Sequence, residues 1–326
     1  MSKSNIGKII VFILCLLPWS SWGRECHFCH QRISGQYFHA SGNDFCSREC
    51  FLETLPKCSV CDKPCEQMYT MQDRNFCSRE CMQEIYKCSV CQRGAEQIYS
   101  LSNDYGQEKL FCSQCRSLPK CYYCSFPNNQ RTLPDGRQIC RDCRSSAVTD
   151  QREIQRIFNH LRSELARIYG YDKHHRIELH IVDLRELHRQ TPAAQHGGGN
   201  QLGLMKYSKR EEVRRRGGRE ERVIVEENCH IYILNTMPRM ILINTIVHEL
   251  THDYIRHNIG EVRDKTSEEG FCELIASLYN IRIGNSILNR AKEASRDPVY
   301  GGGYRRMRDI YRRNNRSFRR TLQSVR

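Results

Sequence analysis

Sixteen cysteines in four quartets limit what the first 145 residues can fold into. The quartets are Cys26, Cys29, Cys46 and Cys50; Cys58, Cys61, Cys77 and Cys81; Cys88, Cys91, Cys112 and Cys115; and Cys121, Cys124, Cys140 and Cys143. Each opens with C-x2-C, runs fifteen to twenty residues, and closes with C-x2-C or C-x3-C, a repeat with a period near thirty residues. Phe45-Cys46-Ser47-Arg48-Glu49-Cys50 returns as Phe76-Cys77-Ser78-Arg79-Glu80-Cys81, and Phe111-Cys112-Ser113-Gln114-Cys115 is a shorter echo. Two thiolates two residues apart on a tight turn bind one face of a tetrahedral ion, and a second pair closes it. The spacing therefore predicts about four structural zinc ions. Each unit is too small to hold a core of its own, so metal would supply much of its folding energy. The competing reading is a disulfide framework, which an oxidising compartment would favour. Cysteine pairs at both ends of every unit are metal geometry more than loop stapling, so zinc is the reading taken. Cys65, Cys229 and Cys272 fall outside the quartets and read as small buried hydrophobes.

These units resemble LIM and related treble-clef zinc modules, in which the second cysteine pair opens a short helix. They depart from LIM domains in two ways: five to seven residues separate successive units, and every ligand is cysteine. The resemblance implies binding of protein partners. Nucleic acid is disfavoured, because no aromatic-rich basic stripe accompanies the cysteines.

Residues 1–23 read as a secretory signal: Lys3 and Lys8, then the apolar run Ile9 to Leu17, then Ser21-Trp22-Gly23 with small residues at the cleavage positions. An uncleaved anchor is the alternative, and either places the remainder outside the cytoplasm, secreted or periplasmic. The formal net charge of +14 favours acidic partners, but the excess is spread out except at the C-terminus. Membrane contact is expected only through an uncleaved signal or that basic tail.

After Cys143 cysteines nearly vanish, and Arg144 to Asp150 reads as a linker between residues 24–145 and a second domain over 150–304. Ile154, Ile157, Phe158, Leu161, Leu165 and Ile168 recur at helical spacing, so 151–169 is an amphipathic helix ended by Gly170. Ile177, Leu179 and Ile181 alternate as a strand. His174, His175 and His180 read as surface histidines. Gly197-Gly198-Gly199-Asn200 leads into a strand over Leu202 to Tyr207, charged residues 209–222 read as a solvated hairpin or loop, and Val223 to Val225 and His230 to Leu234 as two further strands.

The chemistry-bearing stretch is His248-Glu249-Leu250-Thr251-His252, an H-E-x-x-H pattern. On a helix the two histidines share one face and can share one metal ion, and Glu249 can act as general base on a metal-bound water. Pro238 suits a first helical position, and an apolar surface runs from Met240 to Ile255 without a breaker before Gly260. Glu269, seventeen positions after His252, is the favoured third ligand, on a helix running from Thr266 to about Ile281. Glu268 and Glu273 compete for that place, and Thr266 with Glu269 also fits a capping box. One of Glu269 and Glu273 could ligate while the other orients a histidine.

His248-Glu249-x-x-His252 followed by Glu269-Gly270-Phe271 resembles the gluzincin metallopeptidases. More narrowly, residues from about 220 to 310 are similar to the peptidase domain of the DA-one family, LIM-containing, ubiquitin-regulated peptidases of plant growth control. The stretches that carry this are Ile231 to Leu234, Met237-Pro238-Arg239, His248 to His252, Glu268-Glu269-Gly270 and Asp297-Pro298-Val299-Tyr300-Gly301-Gly302-Gly303-Tyr304-Arg305. The resemblance implies an α+β gluzincin-like metallopeptidase domain behind an array of zinc modules, with one catalytic zinc on His248, His252 and Glu269. An exported chain would not meet ubiquitin, so that part of the family's regulation is not carried over. Gluzincins often use a Tyr or His to stabilise the oxyanion, and Tyr304 or Tyr300 is the candidate; packing is the plainer role for both. From Arg305 to the C-terminus nine arginines face one acid, Asp309, which reads as a solvated, partly helical basic tail. The leading expectation is an exported zinc endopeptidase acting on protein or peptide substrates, its zinc modules binding a partner or regulating it. The alternative is a latent or non-catalytic zinc-dependent scaffold, and a basic zinc-finger nucleic-acid binder stands third.

Overall fold

A computed structural model describes residues 23–325 apart from 72, 96, 172–174, 192–199 and 217–218; the side chains of 211, 214–216 and 219–225 are also left undescribed. The signal-like residues 1–22, His174 and the Gly197-Gly198-Gly199 run lie outside the described residues. The chain divides into two compact units. One holds the chain up to Ser100 together with Leu110–Arg116; the other holds Leu101–Lys109 and Ser117 onward.

The first unit carries three cysteine quartets, each built to one plan. A C-x2-C turn precedes a short hairpin: β1 (Phe38–Ala40) with β2 (Asn43–Phe45), then β3 (Tyr69–Met71) with β4 (Arg74–Phe76). A helix follows, α1 (Arg48–Leu52) or α2 (Arg79–Ile85), and the second cysteine pair spans its start. Ser47 and Ser78 cap these helices by accepting from the amides of Cys50 and Cys81. The third quartet has β5 (Ile98–Ser102), β6 (Glu108–Cys112) and a 3-10 turn at Cys115–Ser117. The apolar clusters are small: Ala40, Phe45 and Phe51 beside Cys26, and Phe76, Met82 and Tyr86 beside Cys58 and Cys65. Two or three buried aromatics contribute about 1.5–3 kcal/mol each. A structural zinc held by such a quartet would contribute about 10–16 kcal/mol, more than these clusters supply.

The fourth quartet groups with the second unit, and the expected linker after it is structured. The helix α3 (Arg141–Ser145) leads into β7 (Ala147–Val148), which pairs antiparallel with Met237–Pro238 (β11), directly ahead of the H-E-x-x-H helix. The buried Arg137 pairs with Asp135 at 2.7 Å and donates to the carbonyl and side-chain oxygens of Asn235 at 3.1 and 2.6 Å. This quartet is therefore part of the framework that holds the second unit's sheet and helices.

That framework begins with α4 (Gln151–Tyr169), capped by Asp150 and ended by Gly170 at φ 74°, as the sequence predicts. A three-stranded sheet of order β8-β10-β9 follows. β8 (Ile177–Val182) runs parallel to β10 (Arg219–Leu234), and β9 (Gly203–Arg216) runs antiparallel to β10 from the edge. The two separate strands expected over Val223–Leu234 are one strand with a bulge at Ile224/Glu226, and the charged hairpin is a continuation of the sheet. Opposite charges face across it, Lys209 from Glu227 and Arg210 from Glu226, which supports the pairing there. Between β8 and β9 lies α5 (Leu184–Gln190).

Ile231, Ile233 and Leu234 of β10 are fully buried, as are Leu242, Ile246, Val247 and Ile255 of α6 (Arg239–Asn258). Pro238 sits one residue before this helix as its cap. Next come α7 (Lys265–Arg282), α8 (Ile287–Ala294), α9 (Tyr300–Arg313) and α10 (Phe318–Gln323). At Gly270 and Gly303 the backbones of α7 and α9 touch: a Cβ on Gly270 would lie 2.3 Å from the Gly303 carbonyl oxygen. This explains Gly303 of the Tyr-Gly-Gly-Gly-Tyr run; Gly301 has a separate reason, since a Cβ there would lie 2.5 Å from the Ser295 carbonyl oxygen. The expected solvated tail is corrected: α10 docks Phe318 against Tyr169, Tyr254 and Phe271, with centroids 4.9–5.5 Å apart, and Leu322 and Val325 are buried. Apolar residues between the arginines decide the outcome. Among the described residues no helix is long and apolar enough to cross a membrane.

Candidate metal centres

The four C-x2-C turns share one backbone geometry. The residue after the second cysteine is left-handed in each: His30, Asp62, Gln92 and Ser125, with φ 58–60°. Its amide donates to the carbonyl of the first cysteine at 2.9–3.0 Å. No glycine marks this position, so the sequence pattern does not reveal it.

In each quartet the four sulfurs converge. Cys46 and Cys50 Sγ lie 3.4 Å apart, Cys124 and Cys140 3.6 Å, and Cys61 and Cys81 3.9 Å. A tetrahedral zinc with Zn–S bonds of about 2.3 Å separates its sulfurs by about 3.8 Å. A disulfide would bring them to about 2.05 Å. All the described cysteines are unbridged, and the quartets are compatible with zinc. Cys26, Cys58 and Cys88 are pushed down to about 6: burial opposes the thiolate, and backbone N–H donors from both cysteine pairs outweigh it.

The second constellation joins α6 to α7. His248 and His252 stand one turn apart, with their Nε2 atoms 3.1 Å from each other. Glu269 Oε2 lies 3.1 Å from His248 Nε2 and 3.4 Å from His252 Nε2. Three N/O ligands at about 2.05 Å on a tetrahedral ion stand about 3.4 Å apart, so the donor set fits a zinc ion. The capping-box alternative for Glu269 is not realised, because Asp264 caps α7 by accepting from the Thr266 amide.

The competing carboxylates lie behind the histidines. Glu273 Oε1 is 3.1 Å from His248 Nδ1, and Glu268 Oε1 is 2.9 Å from His252 Nδ1. Each fixes its ring so that Nε2 faces inward. Lys292, missed in the sequence because it comes from a separate helix, pairs with the far oxygen of Glu273 at 2.6 Å. Burial opposes charge on His248, but hydrogen bonds to Glu269 and Glu273 raise it to about 9. Glu269 is held well below the usual carboxylate range, as the two histidines outweigh its burial. Cys272 is buried and also within ligand range of both histidines.

Glu249 is buried, and desolvation raises its pKa, as suits a proton acceptor. It accepts a backbone hydrogen bond from Met205 on the edge strand β9. Gly203 gives it room: a Cβ there would lie 2.8 Å from Glu249 Oε1.

For Tyr304 the packing role is the one the contacts describe. Tyr304 is buried, its hydroxyl bonded to Ser277 and Glu293 at 3.2 Å each, so it packs α9 against α7 and α8. Tyr300, one turn earlier, is 44% exposed. Burial raises its pKa first, and the charges of Glu269 and Glu249 raise it further.

The chain is thus an α+β protein with several cysteine-rich clusters compatible with zinc. Its homologues are DA1 and DA1-related proteins. Protein DA1-related 2 of Arabidopsis thaliana is 25% identical over 273 residues, covering 78% of this chain and 48% of that protein. Protein DA1 of the same plant is 23% identical over 310 residues, covering 87% and 54%. Protein DA1-related 1 is 23% identical over 324 residues, covering 89% and 57%. The chain spans about half the length of the curated relatives it matches. No family model matches it.

Proposed function

We propose that the chain is a zinc-dependent endopeptidase of the gluzincin type, exported by its N-terminal segment, with protein-binding or regulatory LIM-like zinc modules. The observation that carries the reading is the closed triangle of His248, His252 and Glu269, with Glu249 on the next position of the same helix.

When bound there, zinc would polarise a peptide carbonyl and lower the pKa of water to about 7. Glu249 takes the proton of the attacking water and returns it to the leaving amine, a role its raised pKa supports. Tyr300 donates a hydrogen bond to the developing oxyanion. The outer edge of β9, beside Glu249, offers main-chain groups to an extended peptide.

The test is digestion of an unfolded protein substrate by the zinc-loaded chain, with and without chelator, followed by re-addition of zinc. Cleavage that stops with chelator and returns with zinc supports the peptidase. No cleavage by the fully loaded chain favours the scaffold reading. Secretion of a reporter fused to residues 1–23 tests export; a reporter that stays inside the cell rejects it.

A further inference from the structure

A second group of ligand-type side chains lies on the other face of the sheet. In the parallel pair β8–β10, Glu178 is in register with His230 and His180 with Tyr232. Ile231 and Ile233, on the opposite face of β10, are buried in the core. Glu178, His180 and His230 therefore stand together on the outward face, each about a third exposed.

Their donor atoms close a triangle. His180 Nε2 is 3.0 Å from His230 Nδ1. Glu178 Oε2 is 3.4 Å from His230 Nδ1 and 3.9 Å from His180 Nε2. Ligand atoms on one ion at about 2.1 Å stand about 3.0–3.4 Å apart, so two sides fit, and a small rotation of the half-exposed carboxylate closes the third. Arg176 holds the other oxygen of Glu178 at 2.9 Å, which leaves Oε2 for the histidines. Tyr232 stacks on His180 with centroids 4.6 Å apart and fixes that ring.

We propose that Glu178, His180 and His230 form a binding site for a divalent transition metal ion on the outer face of the β8–β10 pair. Two imidazoles and one carboxylate select zinc, nickel or copper over calcium or magnesium. With three protein ligands and open access, water completes the shell and the ion exchanges readily. A bound ion ties β8 to β10 on the face opposite Ile231 and Ile233.

The experiment uses the full chain, dialysed without chelator so that tightly held zinc stays. Nickel is titrated calorimetrically into the wild type, into His180→Gln and His230→Gln, and into His160→Gln as a control on α4. The expected result is one more nickel site in the wild type and the control than in either site variant, or at least a tenfold loss of affinity in those variants. Copper bound to the wild type should show electron-spin coupling to two imidazole nitrogens, and to one in each site variant. Unchanged melting temperatures confirm that the variants fold. Equal nickel binding by the wild type and a His180→Gln/His230→Gln double variant, or no uptake by the wild type, overturns the proposal and leaves a histidine–histidine hydrogen bond with a flanking ion pair.

Discussion

His248 Nδ1 lies 3.1 Å from Glu273 Oε1, on the far side of the ring from the nitrogen that faces Glu269. Helix α7 thus holds one histidine from both sides, with carboxylates one turn apart. Lys292 extends the chain to a third helix at 2.6 Å. Truncating it by Lys292→Met leaves Glu273 buried without its cation, which costs about 3–5 kcal/mol. Glu273→Gln should instead weaken the metal by about 10- to 100-fold. Denaturant melts and chelator competition check the two effects, and the double variant should recover part of the stability.

Tyr300 and Tyr304 separate by readout. Tyr300→Phe should lower kcat by about 10²–10³, the scale of one lost oxyanion donor, with zinc content unchanged. Tyr304→Phe should leave kcat nearly intact and cost about 1 kcal/mol of stability from its bonds to Ser277 and Glu293.

Gly270→Ala tests the contact between α7 and α9. The added methyl meets the backbone of Gly303, which cannot rotate away. A loss of at least about 1–3 kcal/mol is expected, measured by thermal melting. Gly302→Ala, whose Cβ would meet nothing closer than 3.7 Å, should be nearly neutral or slightly stabilising.

His257 gives the zinc-loaded protein a pH dependence. Its hydrogen bond to Asp253 outweighs burial and raises it to about 9 from the ordinary 6.5. A raised histidine contributes stability that is complete below about 6.5 and is lost as pH rises through about 9. The melting temperature should therefore fall between pH 6.5 and 9.5, and fall less in His257→Gln.

Much of this was legible in the residues. Local patterns carried α4, with Asp150 and Gly170 at its ends, and the quartets, where spacing alone dictates a shared centre. His248, His252 and Glu269 were legible because one helix period and one short connection fix their approach. Tertiary contacts were not. Nothing near Lys292 in sequence points to Glu273. Nothing in the Arg144–Asp150 stretch points to pairing with Met237–Pro238. Tyr300 and Tyr304 lie four apart on one helix, so periodicity cannot say which is buried and which is exposed. The arginine-rich end misled because charge density hides the few apolar residues, Met307, Phe318 and Leu322, that dock it.

The most direct measurement compares the wild type with Glu249→Gln on an unfolded protein substrate, with zinc content determined on the same samples. Equal zinc in both, with cleavage lowered by about 10²–10⁴ in the variant, is the expected result for a general base beside an intact metal site. Equal zinc with equal cleavage would contradict it, and would remove Glu249, and with it the peptidase reading, from the site formed by His248, His252 and Glu269.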